Sequence, residues 1–225
     1  MLGEAAVAIW CDVAPEVQEE FDDWHAHEHM PERLGIPGFL RGSRWVGDGG
    51  AYFMLYEAES EATITGGAYL ERLNKPTPWS RKMMPHHRNM VRGLCRVEAS
   101  VGSALGQALL TVRFSAKDAK PLRARLVDTL AAMPARKGLV AACLMRAIEQ
   151  PGALTTEQRL RGGDAAPEWI ALLNGYSGDA IAAVAAQELS ESTLLAHGAL
   201  PGSVSRLYRL AYVLNRYTGR PEERR

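Results

Sequence analysis

The strongest constraint in this chain is an order of elements that occurs twice. Residues 4–12 are apolar on both alternate faces, as in a strand covered from two sides. A helical stretch follows, then a strand at 38–46, the hairpin signal Gly47-Asp48-Gly49-Gly50 and a strand at 51–58. A helix around 60–73, a short helical piece at 79–84 and a strand at 91–100 complete the order β-α-β-β-α-β. The second half reads as a strand at 109–115, a helix at 119–133 with Leu122, Leu126, Val127 and Leu130 at helical spacing, and a strand at 138–148. A polar connection through Gly162-Gly163-Asp164 then leads to a strand at 169–173, an alanine-rich helix at 179–196 and a strand at 204–214.

Residue-level echoes support the duplication. Gly38-Phe39-Leu40 matches Gly138-Leu139-Val140, and Met30-Pro31 matches Met133-Pro134. Val91-Arg92-Gly93-Leu94-Cys95-Arg96-Val97 matches Val204-Ser205-Arg206-Leu207-Tyr208-Arg209-Leu210. The fold class is therefore α+β: two tandem ferredoxin-like units, 1–103 and 104–217, packed sheet to sheet within one chain, with a charged, frayed tail at 218–225. Sheet-to-sheet packing explains the strands that are apolar on both faces, and the space between the sheets is a candidate pocket.

Charge and composition exclude several classes. Acidic and basic residues number 26 each, so the electrostatic footprint of a general nucleic-acid binder is missing. No apolar run reaches the roughly 20 residues that span a bilayer, and Met1-Leu2-Gly3-Glu4 lacks a signal-peptide pattern. Cys11, Cys95 and Cys143 have no CxxC spacing, which suggests core thiols in a reducing cytoplasm.

Chemistry concentrates between Phe21 and Arg33, where His25, His27 and His29 account for three of the six histidines. Pro15 and the helix formers Glu16, Gln18, Glu19 and Glu20 start a helix, Pro31 removes a donor, and Gly35, Pro37 and Gly38 end it. Val17, Phe21, Trp24 and Glu28 share a stripe, His25 and His29 lie on its edge, and Glu19, Asp23 and His27 point away. The second half has Asp128, Ala131 and Ala132 where the first has His25, Glu28 and His29. Alanine neither binds metal nor moves a proton, so any site belongs to the first half.

At this point the residues carry a likeness. Trp24-His25-x-x-Glu28-His29-x-Pro31, then Ile36-Pro37-Gly38-Phe39, and Leu73-Asn74-Lys75-Pro76-Thr77-Pro78-Trp79 ahead of His86 and His87 resemble the dimeric α+β barrel superfamily. Within it the chain is similar to EthD-like proteins and to uncharacterised tandem-repeat members. The superfamily includes cofactor-free monooxygenases, isomerases, cyclases and haem enzymes, so the resemblance implies fold strongly and chemistry weakly.

The expectation is a small-molecule-binding protein acting as a cofactor-free monooxygenase, isomerase or cyclase on an aromatic or carbonyl-bearing substrate held between sheet and helices of the first half. His29 is the principal acid/base, with His25 assisting and Glu28 setting the tautomer. Trp24, Arg41, Arg44, Tyr52, Tyr56, His86, His87 and Arg96 are the candidate substrate-binding residues. This reading needs no cofactor and no metal. A first alternative is a non-catalytic ligand-binding or assembly protein whose histidines form a hydrated helix end. A second is a metal or haem enzyme using His25 and His29 with Glu28, His86 or His87. No nucleic-acid or membrane partner is expected, and homodimerisation stays open.

Overall fold

The computed structural model describes residues 1–149 and 152–216, and the tail expected at 218–225 lies outside them. Among the described residues, eight strands close into one antiparallel barrel. The first half supplies β1 (Ala5–Val13), β2 (Phe39–Val46), β3 (Ala51–Ala58) and β4 (His87–Val101). The second supplies β5 (Ala108–Phe114), β6 (Leu139–Ala147), β7 (Trp169–Gly175) and β8 (Val204–Asn215). Around the barrel the order is β1-β3-β2-β8-β5-β7-β6-β4. Each half keeps the ferredoxin-like arrangement, its first strand between its third and fourth. The halves close on each other through β2–β8 and β4–β6, which removes free sheet edges.

The helices lie on the outer faces. The first half has α1 (Gln18–Trp24), a π-helical turn (His25–His29), α2 (Met30–Leu34), α3 (Glu61–Thr65), α4 (Gly67–Asn74) and α5 (Pro78–Met83). The second has α6 (Ala119–Ala131), α7 (Thr156–Leu160), α8 (Gly178–Ala186) and α9 (Glu191–Ala196). Two helices expected as single pieces are broken. The first stops at Gly66, whose backbone is extended at ψ 163°, and the second at Gln187, after which Ser190 caps α9.

Sequence echoes correspond to matched backbone. Gly38 and Gly138 hold φ +94° and +93°, a region that favours glycine, and their carbonyls accept from the N–H groups of Glu59 (2.8 Å) and Tyr176 (2.9 Å). Ala5 faces Arg96 across β1–β4, and Ala108 faces Arg209 across β5–β8.

The space between the sheets is core. Ala6, Ala8 and Trp10 of β1 meet Trp45, Phe53, Leu55, Met145, Ile170 and Leu172, all buried. The middle of the barrel axis, where a pocket between the sheets was expected, is thus filled by side chains, as the dense packing of interiors requires, and space remains only toward its two ends. A second core lies outside the first sheet, where Val7, Ile9, Tyr52, Met54 and Tyr56 face Phe21, Trp24, Met30, Tyr69 and Leu73. Each large apolar side chain buried there contributes about 1.5–3 kcal/mol.

The halves differ most in the connection between β6 and β7, whose described residues are 148–149 and 152–168. β6 pairs only with the 95–101 end of β4. The connection runs along the rest: Ile148 N–H donates to the Leu94 carbonyl (2.8 Å), Arg92 N–H to the Ala165 carbonyl (2.8 Å) and Ala165 N–H to the Met90 carbonyl (3.0 Å). Its helix α7 opens on a Thr155/Gln158 capping box and docks on α4, where Asn74 Oδ1 accepts from Thr156 N–H (3.0 Å). A piece of the second half therefore roofs the helix–sheet layer of the first.

Candidate functional site

Pro31 does not stop the helix. It has no N–H for the His27 carbonyl, and its ring would crowd that carbonyl in a regular α-helix. A π-helical turn accommodates it: Met30 donates its N–H to the His25 carbonyl five residues back, and the helix continues to Leu34. The wider turn carries both edge histidines inward. His25 is 1 % exposed and His29 6 %, whereas Asp23 and His27 face solvent, so the hydrated-helix-end expectation is corrected. One turn on, Arg33 is buried as well, at 2 %. His25, His29 and Arg33 form a ladder at intervals of four.

The ladder faces an aromatic box. Tyr56 Oη and His25 Nε2 share a 2.8 Å hydrogen bond. The Trp24 ring lies 4.5 Å from that of His29 and 5.9 Å from that of His87, and Phe21 stands 5.2 Å from His87 and 5.0 Å from Tyr52. His87 enters at the start of β4, where its Nδ1 hydrogen-bonds the Met84 carbonyl at 3.0 Å. Its neutral ring then presents Nε2 as an acceptor. Nδ1 of His25 and Nδ1 of His29 are buried with no hydrogen-bond partner.

Charge enters from the roof. Arg33 Nη2 meets Glu157 Oε1 at 2.5 Å, Arg161 lies 3.8 Å from Glu157, and Arg161 pairs with Asp164 at 2.9 Å. The guanidinium of Arg33 sits 6.0 Å from the Tyr69 ring centre, and Arg92 donates to the Tyr69 hydroxyl (3.1 Å). Burial, followed by the Arg44 charge, holds His25 well below its ordinary value of 6.5. Burial and then Arg33 do the same to His29, and burial and Arg161 bring His87 down to about 4. Burial also raises the Tyr56 phenol. Near neutral pH the box therefore holds three neutral imidazoles, a neutral phenol and a guanidinium.

Other candidates fall elsewhere. Glu28 Oε1 accepts from Thr77 Oγ1 (2.5 Å), Ser80 Oγ (3.2 Å) and Trp24 Nε1 (3.2 Å), so it fastens the helix to the N-terminus of α5 instead of setting a histidine tautomer. Arg44 donates to the Asp22 carbonyl (2.8 Å) and pairs with its carboxylate (3.2 Å) beside Tyr52. Arg41 lies on the barrel side of β2, paired with Glu57 at 2.6 Å. Arg96 is a surface residue paired with Glu98 at 2.8 Å, and His86 is half-buried in the turn before β4.

Arg33, Tyr69, Glu157, Arg161 and Asp164 went unread in the sequence. The spacing His25-x-x-x-His29-x-x-x-Arg33 and the capping box at Thr155 were signals that could have found the ladder and the roof. Among the described residues no three His, Cys, Asp or Glu side chains converge to hold a metal ion. In α6, the counterpart helix, the buried positions are Leu122, Leu126 and Leu130.

No family model and no curated protein matches the chain. It is similar to solved structures over nearly its whole length. An anthrone oxidase-like protein superposes with TM-score 0.62 at 13% identity, covering 95% of this chain and 93% of that one. A monooxygenase candidate from Fusobacterium nucleatum gives 0.60 at 7% identity, covering 96% of each. A regulator of staphylococcal pathogenesis gives 0.54 at 7% identity, covering 92% of this chain and 99% of that one.

Proposed function

We propose, from the premise that this chain has the dimeric α+β barrel (ferredoxin-like) fold, that residues 1–103 form a site-bearing unit and residues 104–217 a degenerate second unit. The second serves as scaffold and roof. The first takes a small aromatic or carbonyl-bearing molecule between its helices and its sheet. The observation that carries this reading is the buried His25–His29–Arg33 ladder against Tyr56, with two imidazole nitrogens left unpartnered in an aromatic box.

The chemistry follows from protonation states. A neutral imidazole in a dry site accepts a proton from an acidic C–H or O–H of the ligand, and His29 has the free nitrogen for it. The guanidinium of Arg33, one turn away, stabilises the oxyanion left behind, as a low-dielectric cation does. His25, fixed by Tyr56, orders the wall beside it. The anthrone oxidase-like and monooxygenase neighbours are compatible with such a ligand class, while their low identity carries only the fold.

A second reading, a non-catalytic ligand-binding or assembly protein, is favoured by one observation: Phe21, Trp24 and Tyr56 already pack the interlayer around the imidazoles. The test is a binding and turnover screen with anthrone, simple phenols and 1,3-diketones, on the wild-type chain and on His29→Gln. Binding and turnover that His29→Gln abolishes with the fold intact support the acid/base reading. Binding without turnover, unchanged in the variant, supports the second reading. No binding by any of these probes overturns both.

A further inference from the structure

We propose that the open end of the barrel is a second, separate binding site, for a small organic carboxylate held by Arg113 above Trp10. β1 and β5 stand on opposite sides of the barrel. Counted from Ala5 and Ala108, which face equivalent arginines, Trp10 and Arg113 occupy the same position in the two halves. They meet across the axis, the Arg113 guanidinium 4.9 Å from the Trp10 ring centre and the indole N–H donating to Thr111 Oγ1 at 3.1 Å. The two ends of the barrel differ. At the Glu57 end, Arg41, Glu57 and Leu105 narrow the interior to a cavity of about 40 Å³. At the Asp12 end a cleft of about 350 Å³ opens above Trp10.

The cleft is donor-rich. Its charged lining residues are Arg113, Arg206 and Asp12. The Asp12 carboxylate is already engaged, by Arg206 at 3.7 Å and by Nδ2 of Asn89 at 2.7 Å, and Asn89 holds the left-handed φ of +51° in doing so. Among the described residues no carboxylate pairs with Arg113, whose planar fork is suited to two parallel hydrogen bonds to a carboxylate. Thr111, having accepted from Trp10, keeps its own O–H to donate. The rings of Trp10 and Tyr208 supply walls for a flat apolar body. One unpaired guanidinium, hydroxyl donors and aromatic walls recognise an aromatic monocarboxylate better than a neutral or a highly hydrated anion.

The experiment is calorimetric titration of the full chain with benzoate, with benzamide and inorganic phosphate as comparison probes. Benzoate should bind at least tenfold more tightly than benzamide, and Arg113→Gln should weaken it by about tenfold or more. Arg113→Lys, which keeps charge and stem, should recover part of the loss. His29→Gln should leave the Arg113-dependent part of benzoate binding unchanged, separating this site from the helix–sheet layer. Benzoate binding equal in wild type and Arg113→Gln, or no benzoate binding at all, overturns the proposal. Phosphate binding in preference to benzoate overturns the carboxylate assignment.

Discussion

Tyr56 and His25 share a 2.8 Å hydrogen bond between side chains that are 2 % and 1 % exposed. With the phenol neutral, one partner donates and the other accepts, so the bond sets the tautomer of a ring whose Nδ1 has no other partner. Tyr56→Phe keeps the ring and removes the hydroxyl, leaving both His25 nitrogens unsatisfied in the core. Urea denaturation should show a loss of about 1–3 kcal/mol, the penalty for a stranded buried polar group. A loss below about 0.5 kcal/mol would mean that water reaches His25 and that the box is not dry.

The three buried imidazoles predict a stability profile with a definite sign. His25, His29 and His87 are held below 6.5, the last at about 4, by burial first and by Arg44, Arg33 and Arg161 respectively. Between 6.5 and these lowered values the unfolded chain binds protons that the folded chain refuses. Unfolding free energy therefore rises with pH across that window. The stability is present above about 6.5 and drains away as pH falls toward 4, each histidine contributing up to about 1.4 kcal/mol per pH unit. Urea midpoints measured from about pH 7.5 to 5 should fall steeply, and less steeply in His87→Gln. A flat wild-type profile would remove the case for neutral, desolvated histidines.

The order of elements was legible because hairpin glycines, apolar strands and helical spacing are local signals. Gly47-Asp48-Gly49-Gly50 turned the chain where expected, and the 51–58 strand holds as read. The site was legible as a location and not as a geometry. At 100° per residue His25 and His29 lie on the edge of the stripe, and only the π turn forced by Pro31 takes them inside. Glu28 lies near the stripe in sequence, but Thr77 and Ser80 claim its carboxylate from an element some fifty residues later. The roof was the least legible part. Glu157 and Arg161 have no local reason to be buried; they are buried because β4 outruns β6 and leaves backbone to be covered.

Gly38 and Gly138 offer a paired test of the equivalence between halves. An added Cβ would overlap Thr63 Oγ1 at the first and lie 2.6 Å from the Ala180 Cβ at the second, on backbones of nearly equal positive φ. Gly38→Ala and Gly138→Ala should each lower stability by roughly 1–3 kcal/mol, since strain at positive φ adds to the overlap. The two thermal shifts should be similar. A large loss at one position and none at the other would show that the match is confined to dihedral angles.

The pairing of Arg33 with Glu157 makes the sharpest prediction about the roof. The two side chains are 2 % and 1 % exposed, and they belong to segments more than a hundred residues apart, α2 and α7. Glu157→Leu leaves the buried Arg33 guanidinium only its 3.9 Å contact with Glu32 and should cost about 3–5 kcal/mol. Adding Arg33→Met removes the stranded charge, so the double variant should regain most of that loss, since apolar replacements of buried pairs are often neutral. The double variant should nevertheless lose the ligand turnover proposed for the first half, because the cation meant for the oxyanion is gone. Stability restored together with full activity would confine Arg33 to holding the roof, and the proton acceptor His29 would need another partner for the charge it creates.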